Sequence, residues 1–301
     1  MKVFFSDYYS LELPDTHRFP MSKYKQLRDY LLEHKIIAAA DLFESPLATE
    51  EELLLAHHPQ YISSMRDGSI DPLIIKKIGF PWSYNLFLRS CATVGGALAA
   101  AKSALKDGIA GNLAGGTHHA HYDSGGGYCV FNDIAVGTRY FHKETPDLRI
   151  AIIDLDVHQG NGNSSILGQD QNVFIFSIHG EKNYPFIKVP SHLDMALPTG
   201  VEDKDYLAAL KIGMKSVDKF GPDFIFYQTG VDPLIYDSLG KMSLSFAGLM
   251  ERDKIVIEYA LQFNIPISLA LGGGYAKPIE KTVEAYANTY RVVNSILEKR
   301  P

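Results

Sequence analysis

Five short runs along the chain are nearly continuous in apolar, often β-branched residues: Ile109 to Leu113, Ile150 to Leu155, Val173 to Ile178, Phe224 to Gln228 and Ile265 to Leu271. Unbroken apolarity over so few residues predicts strands buried on both faces, as in a parallel sheet. Between them the apolar positions fall at helical spacing. One such stretch runs from about Leu86 to Leu105 and stops at Gly108; another runs from Tyr206 to Phe220 and stops at Gly221-Pro222; a third covers Phe246 to Phe263. Thr49 followed by Glu52 predicts a capping box at a helix start. Strands alternating with helices predict an α/β fold, a central parallel sheet with helices on both faces. No repeat, charge block or Pro/Ser/Gly linker interrupts the pattern, so residues 1–301 read as a single domain.

The polar residues are not scattered. Gly115-Gly116-Thr117-His118-His119 follows the first run. Asp154, Asp156 and His158 close the second, Ser177 and His179 close the third, Gly230-Val231-Asp232 follows the fourth, and Gly272-Gly273-Gly274-Tyr275 follows the fifth. Each cluster falls at the carboxyl end of a predicted strand, where open α/β sheets place their ligand sites.

Each cluster suggests chemistry and also admits a plainer account. In an extended chain the side chains of Asp156 and His158 point the same way, so they can meet one metal together with Asp232 from another loop. Three protein ligands and an open position describe a catalytic zinc site, and the oxygen-rich set also suits Fe(II) or Co(II). The plainer account is a structural Asp–His pair. His118 and His119 after a Gly-Gly turn can supply a general base and a second proton carrier, or be two ordinary loop histidines, as His57-His58 is read to be. Tyr275 on a glycine loop can donate to an oxyanion, or simply pack. No G-x-G-x-x-G and no Walker-type G-K-[ST] occurs, which argues against nucleotide binding.

Composition narrows the class. The chain has 301 residues, 46% hydrophobic and 21% charged, so it is globular. Its net charge of −6, without a basic run, argues against non-specific binding to nucleic acid or to anionic membranes. Two cysteines, Cys91 and Cys129, make no disulfide framework and suit a reducing, cytoplasmic location. No apolar run approaches the roughly 20 residues of a membrane span, and Met1 to Asp7 does not read as a secretory signal.

Taken together, GGTHH, Gly125 to Asp133 (GGGYCVFND), Ile153 to Gly162 (IDLDVHQGNG), GVD at Gly230 to Asp232, and LGGGY resemble the histone deacetylase family of the arginase–deacetylase superfamily. The resemblance begins at Asp15-Thr16-His17-Arg18-Phe19-Pro20 and reaches Tyr275. It implies an arginase/deacetylase-like catalytic domain. It implies zinc on Asp156, His158 and Asp232, with His119 as general base, His118 as its partner oriented by Asp154, and Tyr275 polarising the scissile carbonyl. It implies an inner site for a structural potassium ion at Asp154, Asp156, His158, Ser177 and Ile178. Gly127 and the aromatic pair Tyr128 and Tyr184 match the walls of an acyl tunnel. Asn161 stands where most relatives carry a second orienting Asp. That departure, with Gly79-Phe80-Pro81-Trp82 and the run Leu239 to Arg252, resembles class IV members, including bacterial ones, and implies an acyl preference reaching beyond acetyl.

The expected activity is therefore hydrolysis of an N-acyl amide, with acyl-lysine in a protein as substrate and a small acyl-amine, such as an acetylpolyamine, as the alternative. A ureohydrolase of the arginase type is more remote: it needs two manganese ions and further carboxylates, and positions 160 and 234 are Gly and Leu. A non-catalytic acyl- or metal-binding module is disfavoured because every expected ligand, histidine and tyrosine is present. Oligomeric state is left open.

Overall fold

The computed structural model describes residues 1–14 and 16–299; Asp15, at the start of the family-like region, lies outside the described residues. Eight strands form one sheet: β1 (Lys2–Phe5), β2 (Leu42–Glu44), β3 (Ile109–Asn112), β4 (Ile150–Asp154), β5 (Val173–Gly180), β6 (Leu193–Leu197), β7 (Phe224–Gln228) and β8 (Ile267–Ala270). Their order is β2-β1-β3-β8-β7-β4-β5-β6, and every pairing is parallel. Parallel pairing needs crossovers; the loop 181–192 supplies the one between β5 and β6, and helices supply the others. In chain order these are α1 (Lys23–Glu33), α2 (Glu50–Leu53), α3 (Pro59–Asp67), α4 (Pro72–Ile78), α5 (Tyr84–Asp107), α6 (Asp133–Glu144), α7 (Asn161–Leu167), α8 (Asp203–Phe220), α9 (Phe246–Gln262) and α10 (Glu280–Leu297). No helix among the described residues is long and apolar enough to cross a membrane.

The central strands are the predicted ones, because they alone are apolar on both faces. Every residue of β4 and β7 is buried. α5 packs on β3, β8 and β1, and it presents a buried stripe of small residues from Ala92 to Ala104 that lets it lie close to the sheet. α8 and α9 begin and end near the expected positions, α8 starting three residues earlier at Asp203. The capping box exists: Glu52 N–H donates to Thr49 Oγ1 at 3.2 Å, and Thr49 N–H donates to Glu52 Oε2 at 2.9 Å.

Two expectations are corrected. β5 runs on to Gly180, two residues past the expected end at Ile178, so His179 lies within the strand rather than just beyond it; pairing with β6, His179 opposite Ala196, continues the ladder that far. And β4 ends at Asp154, after which the chain bends. Asp156 and His158 therefore do not converge by strand alternation. Instead Asp156 N–H donates to Asp154 Oδ1 at 3.2 Å and His158 N–H donates to Asp156 Oδ1 at 3.0 Å, two successive side-chain-to-backbone turns.

Candidate active site

The strand order brings the carboxyl ends of β3, β8, β7 and β4 side by side, and the loops leaving them carry the polar clusters. One ligand atom from each of Asp156, His158 and Asp232 lies within 4.8 Å of the others, the one such cluster of at least three His, Cys, Asp or Glu among the described residues. His158 Nδ1 is 3.0 Å from both Asp156 Oδ1 and Asp232 Oδ2. All three side chains are nearly or wholly enclosed, with Asp156 and Asp232 buried. Burial, with Asp156 beside it, pushes the Asp232 carboxyl up to about 7. Burial alone would depress His158, but its two carboxylate partners raise it to about 10. Two buried carboxylates and one imidazole converging on a point form a donor set for a dication, which compensates charge that burial disfavours.

The backbone around the cluster is shaped to hold it. Val157 N–H donates to Asp232 Oδ1 at 2.9 Å, and Gly273 N–H donates to Asp156 Oδ2 at 2.6 Å. Gly273 is required by close approach: a Cβ there would run into the Asp232 carboxylate. Beneath the ligand loops lies Arg252, on α9 and fully buried, which donates to the carbonyls of Gly230 at 2.6 Å, Thr229 at 2.9 Å and Leu155 at 3.3 Å. Its charge is balanced by Asp253 at 2.8 Å, which also accepts from Tyr227 and Thr289. Arg252 thus ties the chain beside Asp156 to the chain beside Asp232.

The two histidines are backed differently. His118 Nδ1 is 2.8 Å from Asp154 Oδ2, and the Gln228 side-chain nitrogen lies 2.9 Å from the same ring nitrogen. His119 Nδ1 donates to Asn161 Oδ1 at 2.7 Å, and Asn161 Nδ2 is 3.0 Å from His121 Nε2. Asn161 opens α7, so that helix start fixes the tautomer of His119. Burial would lower His118, but Asp154 and Asp156 hold it above the ordinary imidazole value. Burial, reinforced by His118 and His158, leaves His119 well below that value. Asp133, the first residue of α6, clamps the loop that carries both: its carboxylate accepts from Gly116 N–H, Thr117 N–H and Thr117 Oγ1 at 2.8, 2.8 and 2.7 Å. His57, by contrast, is a buried framework residue accepting from Asn132 N–H at 2.8 Å, and His58 caps α3.

Tyr275 stays protonated: burial, with Asp232 and Asp156 nearby, raises its hydroxyl well above the usual phenol. Its backbone N–H donates to Asp237 Oδ2 at 2.6 Å, and its ring stands 5.1 Å from Lys23 Nζ. Above it opens a cavity of about 540 Å³ whose walls include Tyr128, Tyr184 and Gly127, with His119, His158 and Tyr275 reached at its inner end. Tyr184 stands edge-on to His119 at 4.8 Å, and a Cβ on Gly127 would press on the His119 ring at 2.6 Å. The expected potassium residues Asp154 and Ser177 face each other across the β4–β5 ladder, with Ser177 Oγ 3.0 Å from His179 Nδ1.

So the tertiary structure brings together the ligand trio, both histidines with their backing residues, Tyr275 and the tunnel walls. Sequence reasoning gave no role to Arg252, Asp133, Gln228, Lys23 or His121. The signal available for Arg252 and Lys23 was a charge within an otherwise apolar helical face.

Comparison with known proteins shows the family and the fold. The model of the histone deacetylase domain matches residues 17–291. An uncharacterized protein of Picosynechococcus sp. is 38% identical over 98% of both chains. Histone deacetylase 2 of Arabidopsis thaliana is 29% identical over 95% of this chain and 76% of its own. Acetoin utilization protein AcuC of Staphylococcus aureus is 28% identical over 87% of this chain and 73% of its own. The solved structure of an HDAC homologue from Aquifex aeolicus superposes with a TM-score of 0.82 at 28% identity, covering 96% of this chain and 83% of that one. The α/β fold is that of histone deacetylases, and the chain belongs to the histone deacetylase family, a family of amidohydrolases that is generally zinc-dependent.

Proposed function

We propose that residues 1–301 form one zinc-dependent catalytic unit that removes acyl groups from N-acylated amines, acyl-lysine in proteins being the substrate class. The observation that carries this reading is the buried Asp156–His158–Asp232 cluster at the foot of an aromatic-walled tunnel, beside His118, His119 and Tyr275. A bound zinc ion supplies Lewis acidity, polarising a carbonyl and making water nucleophilic near neutral pH; Fe(II) fits the same oxygen-rich ligands.

The chain's own residues do the rest. Tyr128, Tyr184 and Gly127 enclose the acyl-amine stem and exclude solvent from it. His119, neutral and with its Nδ1 proton held by Asn161, takes the proton of the attacking water at Nε2. Tyr275 donates its hydroxyl to the oxyanion that develops on the carbonyl. His118, kept cationic by Asp154, stabilises the negative charge and supplies the proton that the amine needs to leave. A potassium ion on Asp154, Asp156, His158, Ser177 and Ile178 would brace these loops from beneath.

The test is turnover of acyl-lysine peptides, from acetyl to myristoyl, beside an acetylpolyamine, with metal content measured in parallel. Hydrolysis of the peptides supports the reading, and class IV character predicts that longer chains are at least as good as acetyl. Preference for the acetylpolyamine would move the substrate to small acyl-amines. Two metals per chain would revive a ureohydrolase. A zinc-loaded protein inert on all of them would mark a binding module.

A further inference from the structure

The chain as a whole carries a net charge of −6, yet the mouth of the tunnel has the opposite sign. Four cationic side chains line the cavity that leads to His119: Arg18, Lys77, Lys182 and Lys241. They come from four separate segments, the loop before α1, the end of α4, the loop after β5 and the loop after β7, so the fold rather than a local charge run assembles them. All four are exposed. No Asp or Glu among the described residues lines the same cavity.

The neighbouring charges do not cancel this ring. Glu181 lies 3.8 Å from Lys182, an exposed contact that solvent weakens. Asp123 faces a separate groove on the far side of Lys77 and Tyr184. No ion pair joins Arg18, Lys77 or Lys241 to a described carboxylate. Lys241 Nζ donates to the Lys182 backbone carbonyl at 3.0 Å, which ties the two loops together and holds the Lys241 ammonium at the rim. Lys188 is a different case: it points into its own loop, donating to the carbonyls of Asn183 and Pro185, and adds little to the rim.

A tunnel that swallows the acyl end leaves the rest of the substrate outside, against this ring. We infer that the natural substrate presents acidic groups there: an acyl-lysine set in an acidic stretch of polypeptide, with basic tails and polyamines disfavoured. This rests on the proposed amide hydrolysis and narrows it. Cations around a mouth raise the local concentration of anionic substrates and lower that of cationic ones, by factors of about tenfold and more at low ionic strength. A free acylpolyamine brings further ammonium groups to the mouth and meets repulsion. Phe186 and Ile187, 86% and 87% exposed beside the rim, offer an apolar lip on which neighbouring peptide side chains can rest. A ring around the tunnel suits a peptide better than a flat lipid surface, which would meet only part of it.

The experiment compares acetyl-lysine peptides of equal length with acidic, neutral and basic flanks, and a monoacetylated polyamine, on the metal-loaded full chain at low and high salt. The expected order of kcat/KM is acidic, neutral, basic, with the polyamine last. The acidic-to-basic ratio should be about tenfold or more at low salt, reside in KM, and shrink once the screening length falls below about 10 Å. The double variant K77E/K241E should reverse the order. Equal efficiency on all flanks, or an unchanged order in the variant, overturns the inference while leaving amide hydrolysis intact. Flank-independent kinetics with tight binding to phosphatidylglycerol vesicles overturns it in favour of a membrane surface. If no substrate turns over, amide hydrolysis itself fails, and binding of the same peptides by fluorescence anisotropy then tests the rim alone: equal affinity for acidic and basic peptides overturns it.

Discussion

His118 and His119 are consecutive in the chain, with ring centroids 4.1 Å apart, yet they sit in opposite electrostatic settings. His118 is backed by a buried carboxylate, and its cation is favoured. His119 is backed by an amide, has no carboxylate of its own, and is held neutral by burial and by the two neighbouring imidazoles. Equal burial with unequal partners gives one group suited to be an acid or a fixed positive charge and one suited to be a base. An amide oxygen sets the tautomer of His119 as well as a carboxylate would, but it does not stabilise the imidazolium.

Five substitutions would break or sharpen that contrast. Asp232→Ala removes one of the three groups that converge beside the two histidines; metal should be lost on dialysis against a mild chelator and activity should fall to background, and retention of both would remove Asp232 from the ligand set. His119→Ala should cost about 10²–10⁴ in kcat, more than His118→Ala; an equal or reversed ranking, with zinc content checked, would abolish the division of labour. Tyr275→Phe leaves both histidines in place and removes the donor they act beside. It should cost about 10²–10³ in turnover without loss of metal, and a loss below roughly tenfold would reduce Tyr275 to a packed aromatic.

The smallest change tests the contrast most directly. Asn161→Asp gives both histidines a carboxylate. The base must be neutral to act, so stabilising its cation raises its pKa and delays activity to higher pH. The acid limb of the kcat/KM profile should therefore move upward by about one pH unit, whereas in the natural chain activity persists further into acid. An unmoved limb with altered stability would show that Asn161 only shapes the start of α7.

Much of this was legible in the chain itself. The inner strands β3, β4, β5, β7 and β8 announce themselves because burial on both faces demands continuous apolar residues. The edge strands do not. β6 alternates intermediate and exposed positions and carries Asp194, and β1 and β2 are only four and three residues long. α10 is not among the helices legible in the sequence although it is long and periodic, since its start lacks a side-chain cap. The bend that presents His158 reads as strand in the sequence, since short Asp-rich turns and strand ends share the same alternation.

The sequence by itself determined which residue types stand at the strand ends, and with them the donor chemistry of the site: two carboxylates, an imidazole, paired histidines, and an amide where a carboxylate was expected. Those are covalent facts, unaffected by folding. The tertiary structure alone decided what surrounds each of them. Asp232 lies 74 residues from His158, and Arg252 lies 97 from Leu155; only the β7–β4 pairing makes them neighbours. Burial at that junction separates the two histidines in basicity, and four cations from four distant segments meet at the rim of an acidic protein. Charge, proton affinity and affinity for metal depend on distance and dielectric, and both are properties of the fold.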